Sequence, residues 1–353
     1  MNISVTLTKN PKTRPDEGNL GFGKYYTDHM FIMDYDAGMG WHDARIVPYQ
    51  PIALDPAAMC IHYAQEAFEG MKAYRHADGS ITLFRPTENC RRLNSSDERL
   101  CIPHIDEDDM LQAIRELVRV DADWVPHQYE TSLYIRPFVF ATEPHVGVHP
   151  SSKYQFIIIL SPVGAYYPEG VNPVKIYVED KYTRASKGGT GFTKAAANYA
   201  QSLKAQMDAQ QKGYSQVLWL DGAEQKYIEE VGTMNVFFKI KGEVITPALT
   251  GSILPGITRK STVELLKYWG VPVSERRLSV EEVFEAAHRG ELEEVFGTGT
   301  AAVISPVGEL CYHDEVITIN DFKTGELTQK IYDELTGIQW GTRPDPFGWV
   351  MPL

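Results

Sequence analysis

Strand-like runs joined by turn signals recur along this chain, and they constrain its fold more than any other feature. The signals DAG and DG separate two such runs in 31–47 and in 73–84, and KG does the same in 235–247. This spacing predicts β-hairpins, and hairpins build antiparallel sheet. Segments 87–100 and 106–120 are predicted to be helices. In the second segment, apolar residues recur at helical spacing after an acidic first turn. We therefore predict an α+β protein and not a doubly wound one.

The other predicted elements divide into two groups along the chain. Strands are predicted at 131–141, 153–162, 216–222 and 292–307, and helices at 257–270, 279–290 and 323–337. A chain of 353 residues suggests two domains at roughly 150 residues each. The stretch VGAYYPEGVNPV (163–174) is rich in Gly, Pro and Tyr and reads as a linker. We predict an N-terminal domain over 1–163, an interdomain loop over 164–174 and a second domain over 175–353.

Composition and charge argue against several classes of function for this chain. The formal net charge of -13 would repel a phosphate backbone, so we expect no nucleic-acid partner. The apolar run FIIIL (156–160) is far shorter than the roughly 20 residues of a membrane span, and the N-terminus lacks the apolar core of a signal peptide. The four cysteines contain no CxxC pair, which indicates reduced thiols and no metal site. We expect a soluble cytoplasmic protein.

The stretch KGGTGFTKAAANYA (187–200) sets Lys194 among residues with almost no side chain. It is not a P-loop, because Thr193 precedes the lysine and Ala195 follows it, and it lacks the third glycine of a dinucleotide fingerprint. A surface lysine in a loop is the ordinary alternative. A lysine desolvated by small apolar neighbours can instead lose its proton and form a Schiff base, so a pyridoxal phosphate site is a hypothesis to test.

Such a site needs further groups, and the chain offers a candidate for each. Glu230 could face the pyridine nitrogen and Tyr199 the cofactor hydroxyl. A phosphate cup could use the turn LPGITRK (254–260), the turn GTGT (297–300) and an arginine of the pair Arg91 and Arg92. Each candidate alone has an ordinary alternative: a charge at a strand edge, a hairpin turn or a solvated helix residue. Only their combination favours the cofactor.

Eight motifs together resemble a known family. They are FEGMKAYR (68–75), FRP followed by RRLN (84–94), YIRPFVFATE (134–143), SPVGAYYPEG (161–170), GFTKAAANYA (191–200), EVGTMNVFF (230–238), LPGITRKS (254–261) and EVFGTGTAAVISPVG (294–308). In this order and spacing they resemble the branched-chain-amino-acid aminotransferases, of pyridoxal-phosphate fold type IV. The resemblance runs from about Phe22 to the end of the chain. It implies a two-domain α+β fold, with a smaller N-terminal α/β domain and a larger cofactor-binding domain built on a mixed sheet or pseudo-barrel.

The resemblance also implies roles for single residues. Lys194 matches the Schiff-base lysine that shuttles a proton between the substrate α-carbon and pyridoxal 5'-phosphate, Tyr199 the partner of the phenolic oxygen, and Glu230 the partner of the pyridine nitrogen. The phosphate is expected on Arg92, Ile257, Thr258 and Thr300, and Thr233 is a further cofactor contact. The substrate-binding residues implied are Tyr63, Phe68, Tyr134, Arg136, Thr300 and Ala301.

The activity implied is a reversible ping-pong transfer of the amino group between L-leucine, L-isoleucine or L-valine and 2-oxoglutarate. An aromatic wall would exclude water from an apolar side chain, while Arg136 or a hydroxyl network would receive the second carboxylate of glutamate. The partners expected are these small molecules and a second copy of the chain, as a homodimer. D-amino-acid aminotransferases and aminodeoxychorismate lyases share the fold type, and a non-catalytic protein that keeps the fold is a third possibility. Lys194, Tyr199 and Glu230 together favour catalysis, because binding alone needs no Schiff-base lysine.

Two positions depart from the family pattern. Animal members carry a CxxC pair after the GTGTA turn, where this chain has Ala302 and Ser305, so we expect no thiol switch there. Many members have glycines two and three residues after the lysine, where this chain has Ala196 and Ala197. Alanine is the next smallest residue, and we expect it to be tolerated.

Overall fold

The computed structural model describes residues 1–164 and 171–353. The strands are β1 (Ser4–Val5), β2 (His29–Asp36), β3 (Gly40–Pro48), β4 (Glu66–Phe68), β5 (Met71–Arg75), β6 (Ile81–Phe84), β7 (Ser132–Ala141), β8 (Lys153–Val163), β9 (Val174–Glu179), β10 (Gln216–Leu220), β11 (Ile228–Val231), β12 (Met234–Ile240), β13 (Glu243–Thr246), β14 (Val273–Glu275), β15 (Leu292–Gly299), β16 (Val303–Tyr312), β17 (Glu315–Thr318) and β18 (Val350–Pro352). The helices are α1 (Met59–Tyr63), α2 (Pro86–Arg99), α3 (Glu107–Val120), α4 (Ala196–Ala200), α5 (Leu203–Gln211), α6 (Ile257–Tyr268), α7 (Val280–His288) and α8 (Glu326–Gln339). Within these residues, every helix is too short or too polar to cross a membrane.

The chain folds into two compact units. The first comprises Met1–Pro168, Thr193–Ala196 and Thr336–Leu353, and the second comprises Glu169–Phe192 and Ala197–Leu335. The sequence-based boundaries at 164–174 stay a prediction, and residues 165–170 of that predicted loop lie outside the described residues. The structure assigns two segments of the predicted second domain to the first unit. Backbone pairing is the reason, because Ala195 bridges Ala67 and β18 pairs with β6.

The first unit is built on one sheet with the strand order β1-β3-β2-β8-β7-β5-β6-β18, and β4 adds to β7. Helix α3 packs on this sheet through one apolar stripe, as its spacing predicts. The buried residues of that stripe are Met110, Ala113, Ile114, Leu117 and Val118. Asp106 caps the helix by accepting the N–H groups of Asp108 and Asp109. The predicted helix at 106–120 is therefore confirmed.

The second unit contains a closed barrel. Strand β11 pairs with both β10 and β12, so the order β11-β10-β9-β16-β15-β12 returns to its start after six strands. Pairs β9–β10 and β9–β16 are parallel, and the other pairs of the ring are antiparallel. Apolar side chains from these strands form a buried core that includes Val178, Leu218, Val236 and Leu310. This mixed, closed sheet confirms the predicted pseudo-barrel.

The three predicted hairpins are confirmed as the pairs β2–β3, β5–β6 and β12–β13. The region 292–307 contains two strands, β15 and β16, which turn at residues 300–302. Sequence reasoning did not predict the helices α1, α4 and α5 or the strands β1, β4, β9, β11, β14, β17 and β18. Helix α5 gives a weak signal because its buried face consists of the small residues Ala205 and Ala209. Strand β9 follows directly on a stretch whose Pro and Gly residues read as linker.

Helix α2 buries several polar side chains, and Asp97 is the extreme case. It has no exposed surface, and neither carboxylate oxygen has a hydrogen-bond partner in the part of the chain that the structure describes. Burial, with the nearby charge of Glu69, raises the pKa of Asp97 well above its ordinary value. The folded protein therefore holds this carboxyl neutral under conditions where the unfolded chain ionises it.

The variant Asp97→Asn tests this description. Above the ordinary pKa of an aspartate the unfolded chain releases a proton that the folded parent keeps, so the parent loses stability as the pH rises. The variant has no such proton, and we expect its free energy of unfolding to exceed that of the parent at pH 7. Urea unfolding from pH 4 to pH 8 measures the difference, which should shrink towards pH 4. Glu98→Gln, an exposed neighbour on α2, is the control, and a difference that does not change with pH contradicts the prediction.

Candidate active site

Hydrogen bonds fix the main chain of Lys194 on both sides. Its carbonyl accepts the N–H of Phe68 at 3.1 Å, and its own N–H donates to the hydroxyl of Ser96 at 3.0 Å. The small residue Ala195 is buried and lies in β-bridge register with Ala67. The Nζ atom lies 4.9 Å from the centre of the Phe68 ring. The small neighbours thus let this segment approach β4 closely and hold the amine beside an aromatic face.

A buried carboxylate next to Phe68 organises the adjoining part of α2. The Glu69 carboxylate accepts hydrogen bonds from Arg92 Nε at 2.7 Å and Nη2 at 2.9 Å. It also accepts one from Asn89 Nδ2 at 2.7 Å. Burial alone would raise the pKa of Glu69, but the Arg92 guanidinium lowers it below its usual value. Glu69 is therefore ionised, and the fork-shaped pair fixes the plane of the Arg92 guanidinium.

The side chains of Phe68, Lys72, Tyr134 and Arg136 form one group, called the Tyr134 cluster below. Arg136 donates from Nη2 to the Tyr134 hydroxyl at 2.9 Å and lies 4.6 Å from the centre of the Phe68 ring. Gly70 makes room for this arrangement, because a Cβ there would meet the Tyr134 hydroxyl at 2.0 Å. Phe22 packs edge-on against Tyr134 with ring centres 4.9 Å apart. Three of the predicted substrate residues thus lie together.

Lys72 is a member of this cluster that sequence reasoning missed. It lies directly opposite Tyr134 in the β5–β7 register, so the two side chains share one face of the sheet. Burial lowers the pKa of Lys72 to about 8. Ser161 of β8 lies opposite Tyr134 on its other side. The Ser161 hydroxyl and Arg136 Nε are buried and have no hydrogen-bond partner among the residues described.

In the second unit, Glu230 is buried on β11 and held by two donors. The N–H of Leu254 donates to Glu230 Oε1 at 2.8 Å, and Arg184 Nη2 lies 3.2 Å from the same oxygen. Asn235, opposite Glu230 on β12, donates to the Leu254 carbonyl at 2.9 Å. The barrel wall and the 252–256 segment therefore fix the position of this carboxylate.

Arg184 connects Glu230 to the glycine-rich stretch. Its Nη2 donates to the Gly191 carbonyl at 3.0 Å and also to the Ser252 carbonyl. A Cβ on Gly191 would meet the Ser252 carbonyl oxygen at 2.3 Å, so only glycine fits there. This close approach explains one of the glycines before Lys194. No motif spacing in the sequence pointed to Arg184.

Helix α6 begins beside the segment that holds Glu230. Its N-cap residue, Gly256, provides no side-chain hydrogen bond to the first turn. Ile257 and Thr258, the first helical residues, are both buried. An uncapped helix N-terminus directs N–H groups and partial positive charge at an anion such as a phosphate. The turn LPGITRK therefore has the form that phosphate binding requires.

The remaining predicted residues lie on separate elements. Tyr199 is in α4, Thr233 is exposed in the β11–β12 turn, and Thr300 and Ala301 are half-buried in the β15–β16 turn. Tyr63 ends α1 and is 37% exposed, and its ring centre lies 6.1 Å from that of His62. Sequence reasoning also missed Ser96 and the role of Glu69, although FEGMKAYR and the helix 87–100 contain both. Their partners are far apart in the sequence and meet only in the folded chain, so no local pattern revealed these roles.

Known proteins resemble this chain over nearly its whole length. A sequence model of the family described as "Amino-transferase class IV" matches residues 66–310, which is more than half of the chain. The chain therefore belongs to the class IV aminotransferases. It is 59% identical over 348 residues to "Branched-chain-amino-acid aminotransferase 2" of Bacillus subtilis (strain 168), and the match covers 99% of this chain and 96% of that relative. The predicted family resemblance is confirmed.

Solved structures agree with the sequence match. The branched-chain amino acid aminotransferase of Escherichia coli superposes with a TM-score of 0.76 at 28% identity, covering 92% of this chain and 98% of that chain. The branched-chain amino acid aminotransferase of T.th., complexed with N-(5'-phosphopyridoxyl)-L-glutamate, gives a TM-score of 0.75 at 26% identity, covering 91% of this chain and 97% of that chain. The predicted fold type IV is confirmed by these neighbours.

Lys72 gives a test of the electrostatics in the Tyr134 cluster. Its pKa is about 8 in the folded protein, against an ordinary value of 10.5, so between these values the unfolded chain binds the extra proton. The free energy of unfolding of the parent should rise relative to Lys72→Met by up to about 1.4 kcal/mol per pH unit in that window. Urea unfolding of both proteins at pH 7, 8, 9 and 10 measures the difference. Lys9→Met, at an exposed position, controls for removing a charge, and a Lys72→Met difference that is constant with pH contradicts the prediction.

Proposed function

We propose that this chain is a branched-chain-amino-acid aminotransferase that uses pyridoxal 5'-phosphate. It transfers the amino group between L-leucine, L-isoleucine or L-valine and 2-oxoglutarate. The observation that carries the proposal is the position of Lys194, whose main chain is bonded to Phe68 and Ser96 and whose amine lies 4.9 Å from the centre of the Phe68 ring. Because its main chain is fixed, Lys194 keeps its amine within reach of one place in the fold.

The residues of this chain fit the cofactor in two respects. The uncapped N-terminus of α6 suits its phosphate, and the buried Glu230 carboxylate suits a protonated ring nitrogen. Leu254 links the two features, because its N–H holds Glu230 three residues before α6 begins. We assign the phosphate to Ile257, Thr258, Thr300 and Arg92, with Thr233 as a further contact. A guanidinium has five N–H donors, so Arg92 can bind a phosphate oxygen while it is held by Glu69.

Each remaining residue has one task in the reaction. When bound, pyridoxal 5'-phosphate supplies an aldehyde carbon that carries the amino group and a pyridine ring that accepts electrons. Glu230 keeps the ring nitrogen protonated, and Tyr199 donates a hydrogen bond to the phenolic oxygen. The Lys194 amine would shuttle a proton between the substrate α-carbon and the cofactor. Arg184 Nη2, 3.2 Å from Glu230 Oε1, helps to hold this carboxylate in place.

The Tyr134 cluster accounts for dual substrate recognition. An aliphatic side chain gains from contact with Phe68, Tyr63 and Tyr134, because these rings exclude water. The second carboxylate of glutamate needs a cation, and Arg136 supplies one beside the Phe68 and Tyr134 rings. The N–H groups of Thr300 and Ala301 hold the α-carboxylate. One site can therefore accept both substrates in turn, which is the requirement of a ping-pong reaction.

We also propose that the protein acts in the cytoplasm as a homodimer on small-molecule substrates only. The dimer follows from the family resemblance given above, and the cytoplasmic location from the four free cysteines. Sedimentation of the purified protein tests the first, and a mass near twice the 39.8 kDa of one chain is expected.

The assignment of Lys194 is tested by absorbance of the bound cofactor. Titration of the parent with L-leucine should abolish its long-wavelength band, 2-oxoglutarate should restore it, and D-alanine should have no effect. Lys194→Ala should lose the band and about 10³-fold or more of kcat, since it removes both attachment and proton transfer. Lys187→Ala, at an exposed position in the same stretch, should behave as the parent. A response to D-alanine alone would identify a D-amino-acid aminotransferase, and full activity in Lys194→Ala rules out the assigned role.

The assignment of Arg136 is tested by comparing two substrates. Arg136→Met keeps an apolar contact but removes the cation, so kcat/KM for 2-oxoglutarate should fall by about 10–100-fold, the cost of a charge-assisted hydrogen bond. The value for L-leucine in the other half-reaction should change by less than about threefold, since its side chain carries no charge. Tyr134→Phe, which removes only the hydroxyl that Arg136 contacts, is the control. Equal losses for both substrates would show that Arg136 has a general structural role.

A further inference from the structure

Three side chains that can bind metals meet in the connection between β7 and β8. They are Glu143, His145 and His149, in the sequence EPHVGVH. One ligand atom from each residue lies within 4.8 Å of the other two. The group lies within the first unit, outside the residues assigned to the transaminase reaction. It is called the Glu143 triad below.

Hydrogen bonds hold Glu143 in place. The N–H of Ser152 donates to its Oε2 at 2.6 Å, and its own carbonyl accepts the N–H of Met59 at 3.0 Å. The second oxygen, Oε1, lies 3.8 Å from His149 Nε2. One oxygen is thus anchored, and the other faces an imidazole.

The orientation of the His149 ring is set by its neighbour. Its Nδ1 lies 2.8 Å from the Pro150 carbonyl, which can only accept a hydrogen bond. Nδ1 therefore donates to that carbonyl, and Nε2 is the ring nitrogen that faces Glu143. A metal-binding histidine commonly donates its other ring N–H to a carbonyl in this way. The His149 and His145 rings are 4.7 Å apart between centres, so the second imidazole stands beside the first.

We propose that Glu143, His145 and His149 bind one divalent cation of the zinc class. Two imidazoles and one carboxylate suit Zn²⁺ and its transition-metal neighbours, whereas Mg²⁺ and Ca²⁺ prefer oxygen ligands alone. Ligand atoms around a tetrahedral zinc lie about 3.3 Å apart at bond lengths near 2.0–2.1 Å. Both histidines are exposed, so small side-chain rotations close the separations found here to that value. A water completes the tetrahedron.

The cation would stabilise the β7–β8 connection. It ties Glu143, two residues after β7 ends, to His149, four residues before β8 begins. Backbone bonds already hold the first part, because the His145 N–H donates to the Ala57 carbonyl at 3.0 Å. The intervening Val146 and Val148 are 69% and 86% exposed, so few contacts restrain the tip of this connection. A bound metal supplies the missing restraint.

Zinc titration of the metal-free holoenzyme tests the proposal. Competition with a chromophoric chelator should find one equivalent per chain that His145→Gln and His149→Gln each bind at least about tenfold more weakly. His288→Gln is the matched control, since His288 is also exposed and lies 2.5 Å from the Glu315 carboxylate. It should bind zinc as the parent does. Thiols such as Cys101 contribute equally in every variant, so the difference between parent and variant reports the triad.

A second measurement tests whether the cation stabilises the β7–β8 connection. Elastase should cleave the exposed Val146 to Val148 segment, and zinc should slow that cleavage at least about fivefold in the parent but not in His149→Gln. Magnesium in place of zinc should protect neither protein. The proposal fails if the parent binds no more zinc than the two triad variants, or if zinc protects His149→Gln as well as the parent.

Discussion

The ion pair of the buried Glu69 carboxylate with Arg92 is the interaction on which the candidate site residues of the first unit depend. Glu69 follows Phe68 in β4, and it fixes Arg92 and Asn89 of α2 through three hydrogen bonds. Its own N–H donates to the Pro137 carbonyl of β7 at 2.7 Å. One residue therefore joins β4, β7 and α2. Because Phe68 and Ser96 hold the main chain of Lys194, the position of the lysine follows from the same junction. Removal of either charge would leave the other buried and unpaired, which is costly in a protein interior.

The second unit depends on a different constraint, the closure of its sheet. Six strands return on themselves through the β11–β12 pairing, so no edge is open at that point and the register of each strand is fixed. Glu230 lies in β11, opposite Trp219 of β10 and Asn235 of β12. Its carboxylate is therefore positioned by the barrel wall, while the Leu254 N–H reaches it from the loop before α6. A short loop thus links the acid to the helix N-terminus.

The sequence alone predicted those helices and strands whose signals come from residues close together in the chain. Turn signals predicted the hairpins, and helical spacing predicted α3, because both patterns depend on residues close in the chain. The partners that folding brings together carried no such signal. Arg184 lies forty-six residues before Glu230, and Glu69 lies twenty-three residues before Arg92, so neither pair has a spacing that a motif would reveal. The return of β18 to the first sheet was missed for the same reason, since strand pairing across the chain leaves no local pattern. The family resemblance pointed to the site residues because a family pattern links positions that are far apart in the sequence.

The distribution of polar groups that lack partners supports the position of the substrate site. A buried polar group without a hydrogen bond destabilises the folded protein by about 1–3 kcal/mol. Such a group is therefore expected mainly where it serves a function. On the face shared by β5, β7 and β8, Arg136 Nε and the Ser161 hydroxyl are such groups in the part of the chain described. Apolar side chains of similar size would make this face more stable. Polar groups placed where they reduce stability have their best explanation in a polar ligand that completes their bonds, and glutamate, with its second carboxylate, is a ligand of that kind.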